Sequence, residues 1–479
     1  MNHPFTFSKL ALALLLVGPQ AYAADTFFDN FTPMVGDTTP VNPGSATPYR
    51  LSSPNFTQAT IADRSTQNTL VPGSNSGNWD MITANETGPN AGRYLFMPFE
   101  TGTGGVQRID LQDADYNTRT TTIVAPGTQG FVSGDASRWT PWGSYLTAEE
   151  SWGTGSTKGR LFEITNSTTA PANGADFLQR TIIPRVSHEG LAFDAANSFY
   201  FIDELNGGSI YKYVSANPSA STGADFFAAG QTFALKVGAG GQFEGNNGPA
   251  ITGVGTWEAI TDINGAALAG VSTVLADGTI DGRATAPIVQ ATGYNRPEDL
   301  EIQNLADGNQ FIYFTTTDSD NNGVSADGRG RVYSLNVATN EVKLFADNTT
   351  LDMATGLAAG SAFRNPDNLA IDAAGNIYIV EDQDGGVEDV WFATDANRDG
   401  VAESIGKWIS LTTQGAESTG LYFDLFDPNK AYINVQHPAD GIDRTILLTA
   451  QAAPVPVPGA VWLFGSALAG LLGLRRRQA

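Results

Sequence analysis

Residues 365–382 read NPDNLAIDAAGNIYIVED: a polar lead, the apolar stretch Leu369–Ile371, a turn through Asp372, Gly375 and Asn376, and then the aromatic and β-branched run Ile377–Val380 ending on Glu381 and Asp382. Such a pattern is that of a β-hairpin. The same unit recurs as HEGLAFDAANSFYFIDE (188–204), RPEDLEIQNLADGNQFIYFTTTD (296–318) and STGLYFDLFDPNKAYINVQHP (418–438). GNWDMITANETGPNAGRYLFMP (77–98) is a looser copy, and TPWGSYLTAEES (140–151) carries the outgoing strand of a further one. Six strand-rich units without a long amphipathic helix predict an all-β fold, a six-bladed β-propeller. A β-sandwich is the alternative, and the unit spacing disfavours it.

A hairpin returns the chain to the end where it started, so the residue before its first strand and the residue after its second share one rim. Acids occupy both places. Glu189, Glu298, Asp299 and Asp367 precede first strands; Asp203, Glu204, Asp318, Glu381 and Asp382 follow second strands, as Glu149 and Glu150 follow theirs. In a propeller these ends converge on one mouth of the central channel, which predicts a ring of carboxylates. Gathered carboxylates repel one another unless a cation neutralises them. Taken singly, each is an ordinary turn residue; recurrence at equivalent places favours a metal site. Two stretches also begin like calcium loops, Asp395-Asn397-Asp399-Gly400 and Asp318-Asp320-Asn322-Gly323, but Gly406 and Arg329 stand where an EF-hand places its bidentate Glu.

Composition narrows the function classes. The 479 residues carry 50 acids against 26 Lys and Arg, a formal charge of −24, which excludes phosphate-backbone binding by a basic surface and makes nucleic acid a poor partner. There is no cysteine, so stability rests on core size and bound ions. At the N-terminus, Lys9 is followed by an apolar run and by Ala21-Tyr22-Ala23, the signature of a secretory signal peptide, helical and cleaved after residue 23. The C-terminus reads APVPVPGAVWLFGSALAGLLGLRRRQA, a Pro-rich hinge, a short apolar helix barely long enough for a bilayer of about 30 Å, and three arginines that stay cytoplasmic. This segment resembles the PEP-CTERM sorting signal, which implies an export protease as partner and transient anchoring in the inner membrane. The domain reading is signal peptide 1–23, propeller 24–450 and sorting segment 451–479, with the protein exported to the periplasm, cell surface or exterior.

The ordered series TPWGSYLTAEES, SHEGLAFD, IDELNGGSIYKYVS, RPEDLEI, PDNLAIDAAGNIYI and NVQHPAD resembles the PhoX family of bacterial alkaline phosphatases and its DUF839-type relatives. The resemblance implies a secreted six-bladed propeller that hydrolyses phosphate monoesters at a carboxylate-bound cluster of calcium and ferric iron. Carried over by motif, it implies Glu189, Asp203 and Glu298 as iron-site or bridging ligands. Glu149 and Asp367 become further metal ligands, with calcium a plausible ion. Arg296 becomes a contact for a phosphate oxygen, with a buried ion pair as its plainer role, and His188 a contact to phosphate or a proton donor. His437 is offered the same role, and each histidine has the alternative of a simple hydrogen bond beside a strand end. One residue departs from the family. Its phosphatases read LTCEE where this chain reads LTAEE, so Ala148 replaces the cysteine that bridges the irons, which speaks against the di-iron centre, leaves calcium, and favours a non-catalytic propeller over the enzyme.

The leading expectation is a metal-dependent phosphomonoesterase acting on a phosphorylated small molecule. Its rival is a non-catalytic calcium-bound propeller that binds at the cell surface or matrix. A calcium-dependent lactonase rests on fold analogy alone. A serine triad has no support, since no G-x-S-x-G elbow is present. The Gly- and Ala-rich stretch 214–290 reads as loops covering one face.

Overall fold

The hairpins form where the alternation places them. Leu191–Phe193 pairs antiparallel with Phe199–Ile202, Pro297–Asn304 with Gln310–Thr316, Pro366–Ile371 with Ile377–Glu381, and Glu417–Phe423 with Lys430–Gln436. The structure, a computed structural model, describes residues 26–36, 47–150, 153, 155–245, 248–317, 330–382 and 388–452. The expected signal peptide, the sorting segment beyond residue 452 and the Asp318–Gly323 stretch lie outside them. Among the described residues no helix is long and apolar enough to cross a membrane.

Each hairpin extends outward into a sheet. The first strands touch one another in chain order around a common axis: Thr83–Ala84, Gly134–Trp139, Leu191–Phe193, Pro297–Asn304, Pro366–Ile371 and Glu417–Phe423. Thr419 Oγ1 donates to the Trp79 carbonyl at 2.9 Å and links the last to the first. Closure is finished by the N-terminal chain. Phe56–Asp63 adds to Arg444–Ala450, and Tyr49–Leu51 adds to Ser404–Leu411. The result is all-β and propeller-like.

The expectation of six blades needs correction. Among the described residues the strands form five sheets, of four, four, nine, five and four strands. The nine-stranded sheet arises because Gly253–Ala259 bonds to Gly230–Val237 on one side and to Glu341–Ala346 on the other, fusing the sheet that begins at Leu191 with the one that begins at Pro297. That bridging strand lies inside the stretch read as loops. Strands Gly230–Val237 and Gly253–Ala259 and short helices Gly223–Phe226 and Gly282–Thr285 organise it instead.

Aromatic layers fill the spaces between sheets. Trp408 packs edge-on against Phe28 and Tyr378, and Phe131 against Phe162 and Phe177. Each such side chain contributes about 1.5–3 kcal/mol on burial. The core therefore lies outboard of the axis, leaving the inner strands free to present polar groups along it.

Candidate metal centre

A backbone motif repeats at one end of the inner strands. A residue one or two places after each second strand donates its N–H to a carbonyl just ahead of the paired first strand: Glu100 to Asn78 (2.8 Å), Glu150 to Ser133 (2.9 Å), Glu204 to Ser187 (2.9 Å), Thr317 to Arg296 (3.0 Å) and Asp382 to Asn365 (3.0 Å). Gln436 pairs with Glu417 in the same register. Two residues beyond each acceptor stands an acid: Asp80, Asp135, Glu189, Glu298 and Asp367, with Thr419 completing the series. Asn78, Ser133, Arg296 and Asn365 have φ between 41° and 46°, a left-handed backbone that turns the chain sharply into the strand. Register shifts between Gly134 and Ser137, Pro297 and Leu300, and Pro366 and Leu369 bracket three of the acids, and such bulges re-aim side chains.

The carboxylates converge. Asp135, Glu189 and Glu204 bring oxygens within 4.8 Å of one another, and so do Glu189, Glu298 and Asp367, with Glu189 common to both groups. All five are buried. Burial, reinforced by their mutual repulsion, pushes Asp135, Glu189 and Asp367 well above the usual carboxylate range and Glu298 up to about 8. Asp135 Oδ1 is buried with no hydrogen-bond partner. Around the ring Gln436 Nε2 donates to Asp80 and Glu100 at 3.0 Å each, and burial lifts Glu100 to about 7. A hard cation fits this all-oxygen set, in which repulsion and an orphaned acceptor both await positive charge. A thiolate-bridged iron pair does not, since Ala148 is buried in the core and the chain has no cysteine.

The predicted residues fall into two sets. Glu189, Glu298 and Asp367 meet at the ring. Glu149 does not: its carboxylate is filled by Arg160 Nε (2.7 Å) and Nη2 (2.5 Å) and by the Val132 and Arg160 amides. Asp203 likewise accepts from the Ser187 amide and Arg283 Nη2, both at 2.9 Å. Their C-terminal neighbours Glu150 and Glu204 face the ring instead, because successive side chains along a strand point to opposite sides. Burial and the Glu204 charge raise Glu150 well above its ordinary value. The double acids TAEE and IDE are thus one structural anchor followed by one rim carboxylate, a division that period-two alternation encodes.

Arg296 is at the ring, paired with Glu204 and, at 3.2 Å, with Glu298. His188 is not. It is fully buried, its ring lies 5.2 Å from that of Phe201, and burial pushes its pKa down to about 3, leaving a neutral core imidazole. His437 lies on the rim instead, with Nε2 2.8 Å from Glu417 Oε2. At the far end of the inner strands a cavity of about 1260 Å³ contains Arg138, Glu301 and Asn368 and none of the five ring acids.

Residues 126–439 match the family model described as Alkaline phosphatase PhoX, a span that holds all five clustered acids. The chain belongs to the PhoX alkaline phosphatase family. Membership makes it a phosphatase, a hydrolase of phosphate monoesters. Among solved structures it is similar to Pseudomonas fluorescens PhoX in complex with vanadate, a transition state analogue, at 17% identity over 88% of this chain and 98% of that one, with a TM-score of 0.63. It is also similar to the calcium structure of a Trichoderma reesei carbohydrate-active enzyme of family AA12, at 12% identity over 86% and 99% of the two chains, with a TM-score of 0.43. No curated protein matches it.

Proposed function

We propose that this PhoX-family phosphatase works through a calcium-type centre held by Asp135, Glu189, Glu204, Glu298 and Asp367. The observation that carries it is the pair of three-carboxylate groups sharing Glu189, built entirely from oxygen donors. When bound, hard cations neutralise phosphate charge and lower the barrier to attack by water. The chain's own part is to fix those donors on strand ends and to present Arg296 beside them, ready to exchange its carboxylate partners for a phosphate oxygen. Glu149 and Asp203 serve as anchors that hold the neighbouring rim residues in place. Ala148 supports calcium over a bridged iron pair.

The mature unit is proposed as 24–450, exported after removal of residues 1–23, with the C-terminal segment read by a sorting protease. The rival binding-propeller reading gains from that segment and from Ala148, while the retained Glu189, Glu298 and Asp367 favour the enzyme. Hydrolysis of p-nitrophenyl phosphate by metal-stripped protein, with calcium or iron returned and a Glu189→Gln control, decides between them. Calcium-restored turnover that the variant lacks supports the proposed centre. Turnover restored by iron alone, or undiminished in the variant, overturns it.

A further inference from the structure

Arg296 and His437 are basic side chains of the rim. Arg296 pairs with two carboxylates, Glu204 and Glu298. His437 is held differently. Its Nδ1 lies 3.1 Å from the Gly415 carbonyl and its Nε2 2.8 Å from Glu417 Oε2. A carbonyl only accepts, so Nδ1 carries a proton; a bare Nε2 lone pair facing a carboxylate would repel it, so a second proton lies between Nε2 and Oε2. Burial lifts Glu417 to about 7, and Glu417 lifts His437 to about 9, which keeps that proton in place through mildly alkaline pH. Access fits as well. The His437 side chain is 45% exposed and Glu417 is 18% exposed, whereas the clustered acids beside them are buried. Glu417 belongs to the ring by its place in the strands: it pairs with Gln436, whose Nε2 donates to Asp80 and Glu100 at 3.0 Å each.

We propose that the Glu417–His437 pair donates the proton that the leaving group of the phosphate ester takes up, a role that rests on the rim being the phosphatase centre. In that step the ester P–O bond breaks and its electrons go to the ester oxygen. The oxygen takes the proton shared by Nε2 and Oε2 and departs as an alcohol. Water forms the new P–O bond and releases its own proton to solvent, from which the pair is recharged. An alkoxide leaving group needs this proton and p-nitrophenolate, a stable anion, does not.

The test compares kcat on methyl phosphate and p-nitrophenyl phosphate for wild type, His437→Gln and Glu417→Gln, with bound metal measured in each. General acid catalysis is worth about 10²–10⁴-fold. Loss of that order on methyl phosphate, with turnover of p-nitrophenyl phosphate within about threefold and metal content unchanged, supports the pair as proton donor. Equal losses on both esters overturn it and leave the rim reading standing. A wild type inert on both esters overturns the rim reading itself. If one variant does not fold, the other carries the same comparison.

Discussion

At the scale of single residues, the two acids of each double-acid motif are predicted to behave oppositely. Glu204→Gln removes a rim oxygen and is expected to lower metal affinity and kcat by at least about tenfold, with little change in melting temperature in the absence of metal. Asp203→Asn leaves Arg283 buried without its charge partner and is expected to destabilise the fold by about 3–5 kcal/mol. Calorimetric metal titration and thermal unfolding of both variants separate the two effects. Glu149 and Glu150 divide in the same way, with Arg160 as the anchor's partner. Glu189, Glu298 and Asp367 were legible in the sequence because each precedes a clear strand at a repeated place. Glu204 over Asp203 was not, because motif identity gives no side-chain direction, although counting alternation onward from Phe199–Ile202 supplies it. His188 misled for the same reason: it precedes Glu189 and therefore points into the core.

Between elements, the inner strands approach so closely that some positions admit no side chain. A Cβ on Gly190 would lie 2.2 Å from the Leu300 nitrogen and 2.8 Å from the Asp299 carbonyl carbon, both backbone atoms. Gly190→Ala is expected to force apart the strands that carry Glu189 and Glu298, destabilising by about 1–3 kcal/mol and weakening metal binding together with stability. Urea unfolding and metal titration on one preparation check this. The hairpins themselves were readable from period-two alternation and Gly/Asn/Asp turns. The fusion of two sheets was not, because Gly253–Ala259 is short of apolar residues and reads as loop. Its strand character comes from two edges that need a partner, Gly230–Val237 and Glu341–Ala346.

For the whole molecule, the ring sets how stability depends on pH. Glu298 sits at about 8 and Glu100 and Glu417 at about 7 in the folded chain, against an ordinary value of 4.5. These groups keep protons that the unfolded chain has released, so their contribution is complete below about 4.5 and is lost as pH rises through 7 and 8. Metal-stripped protein is therefore expected to melt at falling temperature between about pH 5 and 8. Calcium is expected to raise the melting temperature increasingly over the same range, and a calcium effect that shrank with rising pH would contradict the ring as the binding site. The closing sheet has a further consequence, for synthesis. Among the described strands Phe56–Asp63 pairs only with Arg444–Ala450, so a chain emerging from a ribosome or threading a translocon has one of its earliest strands waiting for its last. If the proposed metal centre needs the closed sheet, the closing strand also sets where the ion is acquired: in the compartment where folding ends, whose metal supply then bears on which ion that is.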